Sequence, residues 1–495
     1  MAGERAPLLK KGSASTSNAK LYLATFSAVL GNFSFGYSLV YPSPVIPYLQ
    51  VEDNPNLRMD TPHIAWFGSV FSLGAAMGGL GAMLLNDKTG RKMSIMISAV
   101  PSTVGSLLLG AAQTRWMLYL GRILTGIASG MTAASIPVYV SEISSPSVRG
   151  VLGSCPQVTA VFGSLTLYAL GLLLPWRWLA VAGELPALLM LVLLCFMPKS
   201  PRYLISKGRQ EEALKALEWL RGRDADFISE LQKIERSISS QGHISWSDLA
   251  KPCYYKPILI SVTMRFFQQM TGITPILVYL EPIFHRTKVT LEPRYDAALV
   301  GAVRLLSVMI AASLMDRAGR KRLLFTSGFL MFLACQALTI YTHTTPCPSI
   351  NITHSQLHTP FSILQSHGVQ QSPPFDPITV IPLLSTMVII FGYAMGWGPI
   401  TWLLMSEILP LGARGKAPGL CVGISWVTAF ILTQVFMHVV VSSFSLFVPL
   451  TSLELEVARA PFQPSPSVIF VFFFFYFCRK LMACLCLFCF FLWWL

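Results

Sequence analysis
Charged residues are scarce in this sequence. They make up 12% of its 495 residues, where a soluble globular domain carries about 25%. With 53% of the residues hydrophobic, the chain cannot cover its apolar surface with polar groups and belongs in a bilayer. A cleaved leader is not expected either. Residues 1–20 are polar, and the long apolar stretch after them has no small-residue cleavage site, so the first span is expected to stay. The ten cysteines are scattered mainly through apolar spans with no CxxC pair in a loop, which argues against a disulfide framework and a metal site. No metal-ligand spacing, nucleophile elbow or phosphate-binding loop stands out, so neither an enzyme nor a cofactor is expected.

What is abundant is apolar length. Stretches of roughly 20 residues, the length that crosses a bilayer, lie at 21–42, 64–85, 93–112, 116–138, 151–172, 178–197, 257–284, 295–315, 323–342, 378–405 and 417–440. An all-α polytopic membrane protein follows. A twelfth span is left open, because 468–495 is rich in Phe and Cys and carries Arg479 and Lys480 in its middle. The expected divisions are a polar tail over 1–20, a first bundle over 21–198, a hydrophilic linker over 199–256, a second bundle over 257–450 and an atypical apolar end over 451–495. Within the linker, Glu211 stands four residues before Lys215 among apolar residues at helical spacing, which predicts short amphipathic surface helices.

The net charge of +14 does not point to nucleic acid, because its placement follows the spans. Basic clusters at 88–92, 149, 199–256, 317–322 and 414–416 all fall on one side, and no Lys or Arg occurs between Arg322 and Arg414. The positive-inside rule makes the basic side cytoplasmic, with the N-terminus inside. The sequon at Asn351 then lies in a non-cytoplasmic loop, where a glycan could be attached.

Two charged signatures occur twice. Asp87-Lys88-Thr89-Gly90-Arg91-Lys92 returns as Asp316-Arg317-Ala318-Gly319-Arg320-Lys321, and Ser141-Glu142-Ile143 with Arg149-Gly150 returns as Ser406-Glu407-Ile408 with Arg414-Gly415. Paired repeats in a many-helix membrane protein indicate two bundles that rock around a central site. In each signature the glycine allows a tight turn, and the carboxylates and guanidiniums can pair across helix ends. Asp87, Arg91, Glu142, Arg149, Asp316, Arg320, Glu407 and Arg414 are therefore the expected gating residues.

With these signatures stand Pro198-Lys199-Ser200-Pro201-Arg202, Gln268-Gln269-Met270-Thr271-Gly272 and Gly396-Trp397-Gly398-Pro399 with Trp402. Together they resemble the sugar-porter branch of the major facilitator superfamily, and residues 20 to about 440 are similar to its class III facilitative glucose transporters. The resemblance implies a fold of two six-helix bundles, a monomeric transport unit and alternating access without ATP. It implies that the substrate, a hexose, is held by Gln157, Gln268, Gln269, Thr274, Tyr279, Trp402 and Arg304. Amides can bond several sugar hydroxyls, and an indole offers an apolar face to the sugar's C–H groups.

Departures from the family pattern qualify this. Thr274 and Arg304 stand where better-known glucose carriers have asparagine, Lys199 replaces a glutamate, and Met83 replaces a glycine. Proton-driven relatives carry an aspartate just after the Phe35-Gly36-Tyr37 segment; here Ser38 follows, which favours facilitated diffusion. Arg304 keeps open a proton-coupled sugar, polyol or organic-anion symporter, and the unusual tail keeps open a non-transporting isoform. Glu4-Arg5-Ala6-Pro7-Leu8-Leu9 matches the acidic dileucine pattern, so Glu4, Leu8 and Leu9 are expected to recruit a clathrin adaptor and direct the chain to endosomes or lysosomes, with a plasma-membrane pool left open.

Overall fold
The computed structural model describes residues 18–145, 148–222, 227–239, 251–287, 293–344, 380–409 and 417–454. Nineteen α-helices and no strand occur among them. The first half holds α1 (Ala19–Val40), α2 (Pro42–Gln50), α3 (Thr61–Lys88), α4 (Arg91–Gly110), α5 (Arg115–Ile143), α6 (Arg149–Gly171), α7 (Trp176–Ala182) and α8 (Leu185–Phe196). The linker forms α9 (Pro201–Ser206), α10 (Gln210–Arg221) and α11 (Phe227–Ser239). The second half holds α12 (Pro252–Met270), α13 (Ile273–Val278), α14 (Leu280–Thr287), α15 (Pro293–Ala318), α16 (Arg320–Thr344), α17 (Val380–Met395), α18 (Trp397–Ile408) and α19 (Ala417–Glu454).

Nine candidate spans among the described residues are long and apolar enough to cross a membrane. Two expected spans are not among the nine. The one at 257–284 is divided: Gly272 adopts a left-handed φ of 76° after α12, and Tyr279 separates α13 from α14. The one at 323–342 lies inside α16, some of whose side chains fall outside the described residues. The tenth stretch is also broken, at Gly396 between α17 and α18, where a Cβ would lie 2.4 Å from Ser327 Cβ. Interrupted helices are found in membrane carriers where backbone lines a substrate site.

Inside a bilayer, helix association comes from close packing rather than from exclusion of water, so small residues sit at the contacts. α3 and α5 illustrate this. A Cβ at Gly74 or Gly78 would lie 2.3 or 2.0 Å from the Ile123 or Ile127 carbonyl, and one at Gly130 would lie 2.0 Å from the Ala75 carbonyl. The backbones touch because a glycine on one helix meets a main-chain carbonyl on the other. Between the halves, α3 packs on α19 and α6 on α15, with Gly79 against Val422 and Gly301 against Tyr168.

The linker helices cover one end of the first half, here termed the linker face. As the spacing predicts, α10 is amphipathic and buries Ala213, Ala216, Leu217 and Leu220. Tyr203 on α9 donates from its hydroxyl to the Lys88 carbonyl at 2.8 Å, which docks the linker on the end of α3.

Candidate functional site
A cavity of about 400 Å³ lies between the two halves. Asn32, Phe35 and Gln157 line it from the first half, and Met315, Pro399 and Trp402 from the second. Arg149, Arg320 and Glu407 also line it, so the cavity extends to the charged helix ends of the linker face.

The opposite face is closed by bonds between the halves. Tyr168 Oη donates to the Leu277 carbonyl at 3.1 Å, the Glu281 amide donates to Ser43 Oγ at 3.1 Å, and Tyr279 Oη reaches the Ala65 carbonyl at 3.5 Å. Tyr279 also stacks on Phe436 with ring centroids 5.7 Å apart. Closed on one face and hollow toward the other, the protein is in the conformation that exposes its centre to the linker face.

Of the seven residues expected to hold sugar, Gln157 and Trp402 line the cavity. The others are buried and do not line it. Gln268 Nε2 donates to Tyr393 Oη at 3.0 Å and to the Trp397 and Gly398 carbonyls at 2.9 and 3.2 Å, while its Oε1 accepts from Arg265. Gln269 donates to Ser425 Oγ at 3.1 Å and accepts from Thr274 Oγ1 at 2.7 Å. Both amides are thus engaged with the second half in this conformation. Tyr279 belongs to the closed face, and Arg304 is buried on α15 with Nε and Nη1 lacking an acceptor.

The repeated signatures fold alike. Gly90 and Gly319 both take positive φ, 88° and 82°, at the turn that only a residue without Cβ adopts freely. Arg91 pairs with Glu142 at 3.1 Å, and its counterpart Arg320 pairs with Glu407 at 2.8 Å. The two signatures of each half are therefore bonded to each other. Ser200 Oγ donates to the second Glu142 oxygen at 2.5 Å, which brings the linker into the first pair. Burial pulls the Arg202 guanidinium below its usual range, opposed by the Glu142 carboxylate and aided by Arg91 and Arg149. Arg149 Nη2 donates to the Ser144 carbonyl at 3.5 Å, and Asp87 is half-buried at the end of α3. Among the described residues, no ion pair joins the two halves on the linker face. Arg414, the side chain of Asp316, Glu4, Leu8, Leu9 and Asn351 lie outside the described residues.

Among the buried charges that escaped the sequence reading are Arg122, Glu184 and Arg265. Arg122 donates from Nη1 to the Ser38 carbonyl at 2.5 Å and lies over Phe71, with Cζ 4.5 Å from the ring centroid. Glu184 accepts from Ser102, Thr103 and Ser106 at 2.7, 2.8 and 3.0 Å. Arg265 lies over Trp402 with Cζ 3.7 Å from the ring centroid. A charge inside an apolar stretch, the signal that singled out Arg304, would have found all three.

Comparison with known proteins bears on what this cavity serves. A family model described as "Sugar (and other) transporter" matches residues 24–494. The chain is 58% identical to mouse "Solute carrier family 2, facilitated glucose transporter member 6" over 90% of its own length and 86% of that protein. It is 39% identical to the mouse member 8 of the same solute carrier family, over 88% of its length and 89% of that protein. Among solved structures it is similar to XylE of E. coli, a proton:xylose symporter of the major facilitator superfamily. The TM-score is 0.74 with 22% identity, covering 95% of each chain.

Proposed function
This chain belongs to the sugar (and other) transporter family, and on that premise we propose that it carries a hexose such as glucose across a membrane by facilitated diffusion. Sugar transport by alternating access is the activity of the family, and the fold is that of the major facilitator superfamily. The observation that carries the proposal is the cavity between the halves, which offers the Gln157 amide and the Trp402 indole while the opposite face is sealed. An amide paired with an aromatic face suits a ring of hydroxyls and C–H groups.

Gln268 and Gln269 enter the site when the second half moves. Their present partners are the helix break at Trp397–Gly398 and Ser425, so binding sugar means exchanging bonds inside the second half for bonds to hydroxyls. Thr274 gives Gln269 a hydroxyl partner during the exchange. The Arg91–Glu142 and Arg320–Glu407 pairs hold the helix ends of each half together while the halves separate on the linker face.

Uniport rather than proton coupling is supported at Ser38. There Arg122 meets a backbone carbonyl and a hydroxyl-bearing residue in place of a carboxylate that could bind and release a proton. The basic linker face is cytoplasmic by the positive-inside rule, which places the N-terminal tail inside. Glu4, Leu8 and Leu9 then present an adaptor-read signal for endosomes and lysosomes, and Leu8→Ala with Leu9→Ala moves the protein to the cell surface. Unchanged intracellular staining would remove that sorting role.

The test of transport is uptake of labelled glucose into liposomes holding the purified protein, with and without an imposed proton gradient, beside Gln157→Ala. Uptake that ignores the gradient and is lost in the variant is expected. Uptake that requires the gradient would overturn uniport, and full uptake by the variant would overturn the site.

A further inference from the structure
Beside Gln157, the first half brings a second amide to the cavity. Asn32 on α1 lines it and is 5% exposed. Its Oδ1 is buried and meets no hydrogen-bond partner among the described residues. Two other polar groups on the same helix are satisfied within the first half: Ser34 donates to the Gly183 carbonyl at 3.3 Å, and Tyr37 to the Leu179 carbonyl at 2.8 Å. An amide oxygen held away from water with nothing to bond is destabilising, and lipid cannot supply a donor. What can supply one is a molecule in the cavity.

Packing holds Asn32 in this position. A Cβ at Gly36 would lie 1.7 Å from the Ala160 carbonyl, and one at Gly163 would lie 2.1 Å from the carbonyl of Phe33, the residue after Asn32. The backbones of α1 and α6 are therefore in contact on both sides of Asn32, and Gln157 projects from α6 into the same cavity. One turn further along α1, Phe35 also lines it and meets the Trp426 ring of the second half edge-on at 5.7 Å. Asn32 thus lies on the linker-face side of a cross-half aromatic contact, in the hollow part of the protein.

The other polar side chains that line the cavity from the first half are already engaged. Ser141 and Ser154 donate to the Val138 and Val151 carbonyls at 2.8 and 2.7 Å, and Arg149 donates to the Ser144 carbonyl among the charged helix ends. Ala133, Pro137, Pro156 and Ala160 have no hydrogen-bonding side chain to offer. The two amides are what the first half can turn toward a ring of hydroxyls.

We propose that Asn32 is a specificity-determining residue of this carrier, taking one sugar hydroxyl from the α1 side while Gln157 bonds from α6 and Trp402 covers the ring from the second half. This rests on the sugar-carrier reading and adds a residue to its site. A hydroxyl satisfies Oδ1 by donating to it, which a C–H in the same place cannot do. A site built to bond a hydroxyl rejects the analogue that lacks it, because its own polar group is left unpaired.

The experiment measures labelled glucose uptake into liposomes holding the purified full-length protein, with 2-, 3-, 4- and 6-deoxyglucose as competitors. In the wild type, at least one deoxy sugar should compete about five- to tenfold more weakly than glucose, the range of one neutral hydrogen bond. Asn32→Leu, close in size and without polar atoms, should raise KM for glucose by a similar factor of about five to ten and leave kcat nearly unchanged. It should also bring one penalised analogue within about twofold of glucose while the others keep their penalties, since only the contact to that hydroxyl is gone. Asn32→Ser, which retains a hydrogen-bonding oxygen, should restore part of the discrimination. The sugar-free melting temperature of Asn32→Leu in detergent should not fall, because no bond within the protein is lost. A variant that weakens glucose and every analogue alike, or changes none of them, overturns the proposal and leaves the carrier reading standing. A lowered sugar-free melting temperature, or failure of both Asn32→Leu and Asn32→Ala to fold, also overturns it, by showing that the amide serves the helix bundle. Wild-type protein that folds but takes up no glucose would overturn the carrier reading itself.

Discussion

The two halves build the same arginine–glutamate pair at very different depths, and this fixes how much each is worth. The Arg91 and Glu142 side chains are 11% and 6% exposed, those of Arg320 and Glu407 38% and 41%. Removing one partner of a fully buried pair costs about 3–5 kcal/mol, because a charge is stranded. In Glu142→Gln the stranded Arg91 keeps the Asn86 carbonyl at 3.2 Å, and the new amide can still accept a hydrogen bond. The cost therefore falls to about 2 kcal/mol, below that buried limit. Glu407→Gln should cost about 0.5 kcal/mol, since exposed pairs lie between about 0 and 1. For a unit of under 200 residues, about 2–4 °C is lost per kcal/mol, so the melting temperature should drop by about 4–8 °C for Glu142→Gln and about 1–2 °C for Glu407→Gln. Thermal melting of the purified protein in detergent reads this directly. A double-mutant cycle with Arg91→Gln should return a coupling of about 1 kcal/mol or more between positions 91 and 142. Equal drops for the two glutamine variants would refute the argument, because burial would then not govern the pairs' contribution.

Other outcomes follow from single contacts. Ser38→Asp puts a carboxylate beside Arg122, and uptake should become dependent on the proton gradient; gradient-independent uptake in the variant would show that the Ser38–Arg122 contact does not set coupling. Gly396→Ala forces a Cβ to 2.8 Å from the Leu323 carbonyl and should destabilise by about 1–3 kcal/mol, whereas Gly81→Ala, with nothing within 4 Å, should be neutral or stabilise by up to about 1 kcal/mol; melting curves separate the two. Gln268→Ala should abolish sugar binding while the protein still folds, measured by ligand titration beside a melting curve, and retained affinity would place the sugar away from α12.

The sequence discloses much of this architecture because apolar length and charge placement act over whole spans. Nine of the eleven expected spans coincide with helical stretches long and apolar enough to cross a membrane, and the duplicated signatures form duplicated ion pairs. It discloses less where one residue has several possible partners. Nothing in the spacing of Glu142 and Arg149 shows that Glu142 prefers Arg91 from the other signature. Gln268 reads as a sugar ligand from its motif, yet a primary amide bonds equally well to carbonyls exposed by a helix break, and Gly396 supplies that break. The division of the 257–284 stretch is legible only locally, at Gly272, because hydropathy averages over interruptions of one or two residues.

The seal opposite the linker face has an unusual division of labour. In three of its cross-half hydrogen bonds a side-chain hydroxyl on one half meets the main chain of the other: Tyr168 with Leu277, Tyr279 with Ala65, and Ser43 with the Glu281 amide; a fourth, from Ser69 Oγ to Gln434 Oε1 at 2.6 Å, joins two side chains. Main-chain partners are indifferent to mutation, so residues 65, 277 and 281 can drift without unlatching the carrier. Each hydroxyl can be removed on its own, and each is worth about 1 kcal/mol. Evolution thus holds three independent, nearly equal steps with which to set how long the carrier dwells in one orientation, and a relative adapted to another compartment could reset its resting state without touching the residues that hold its cargo.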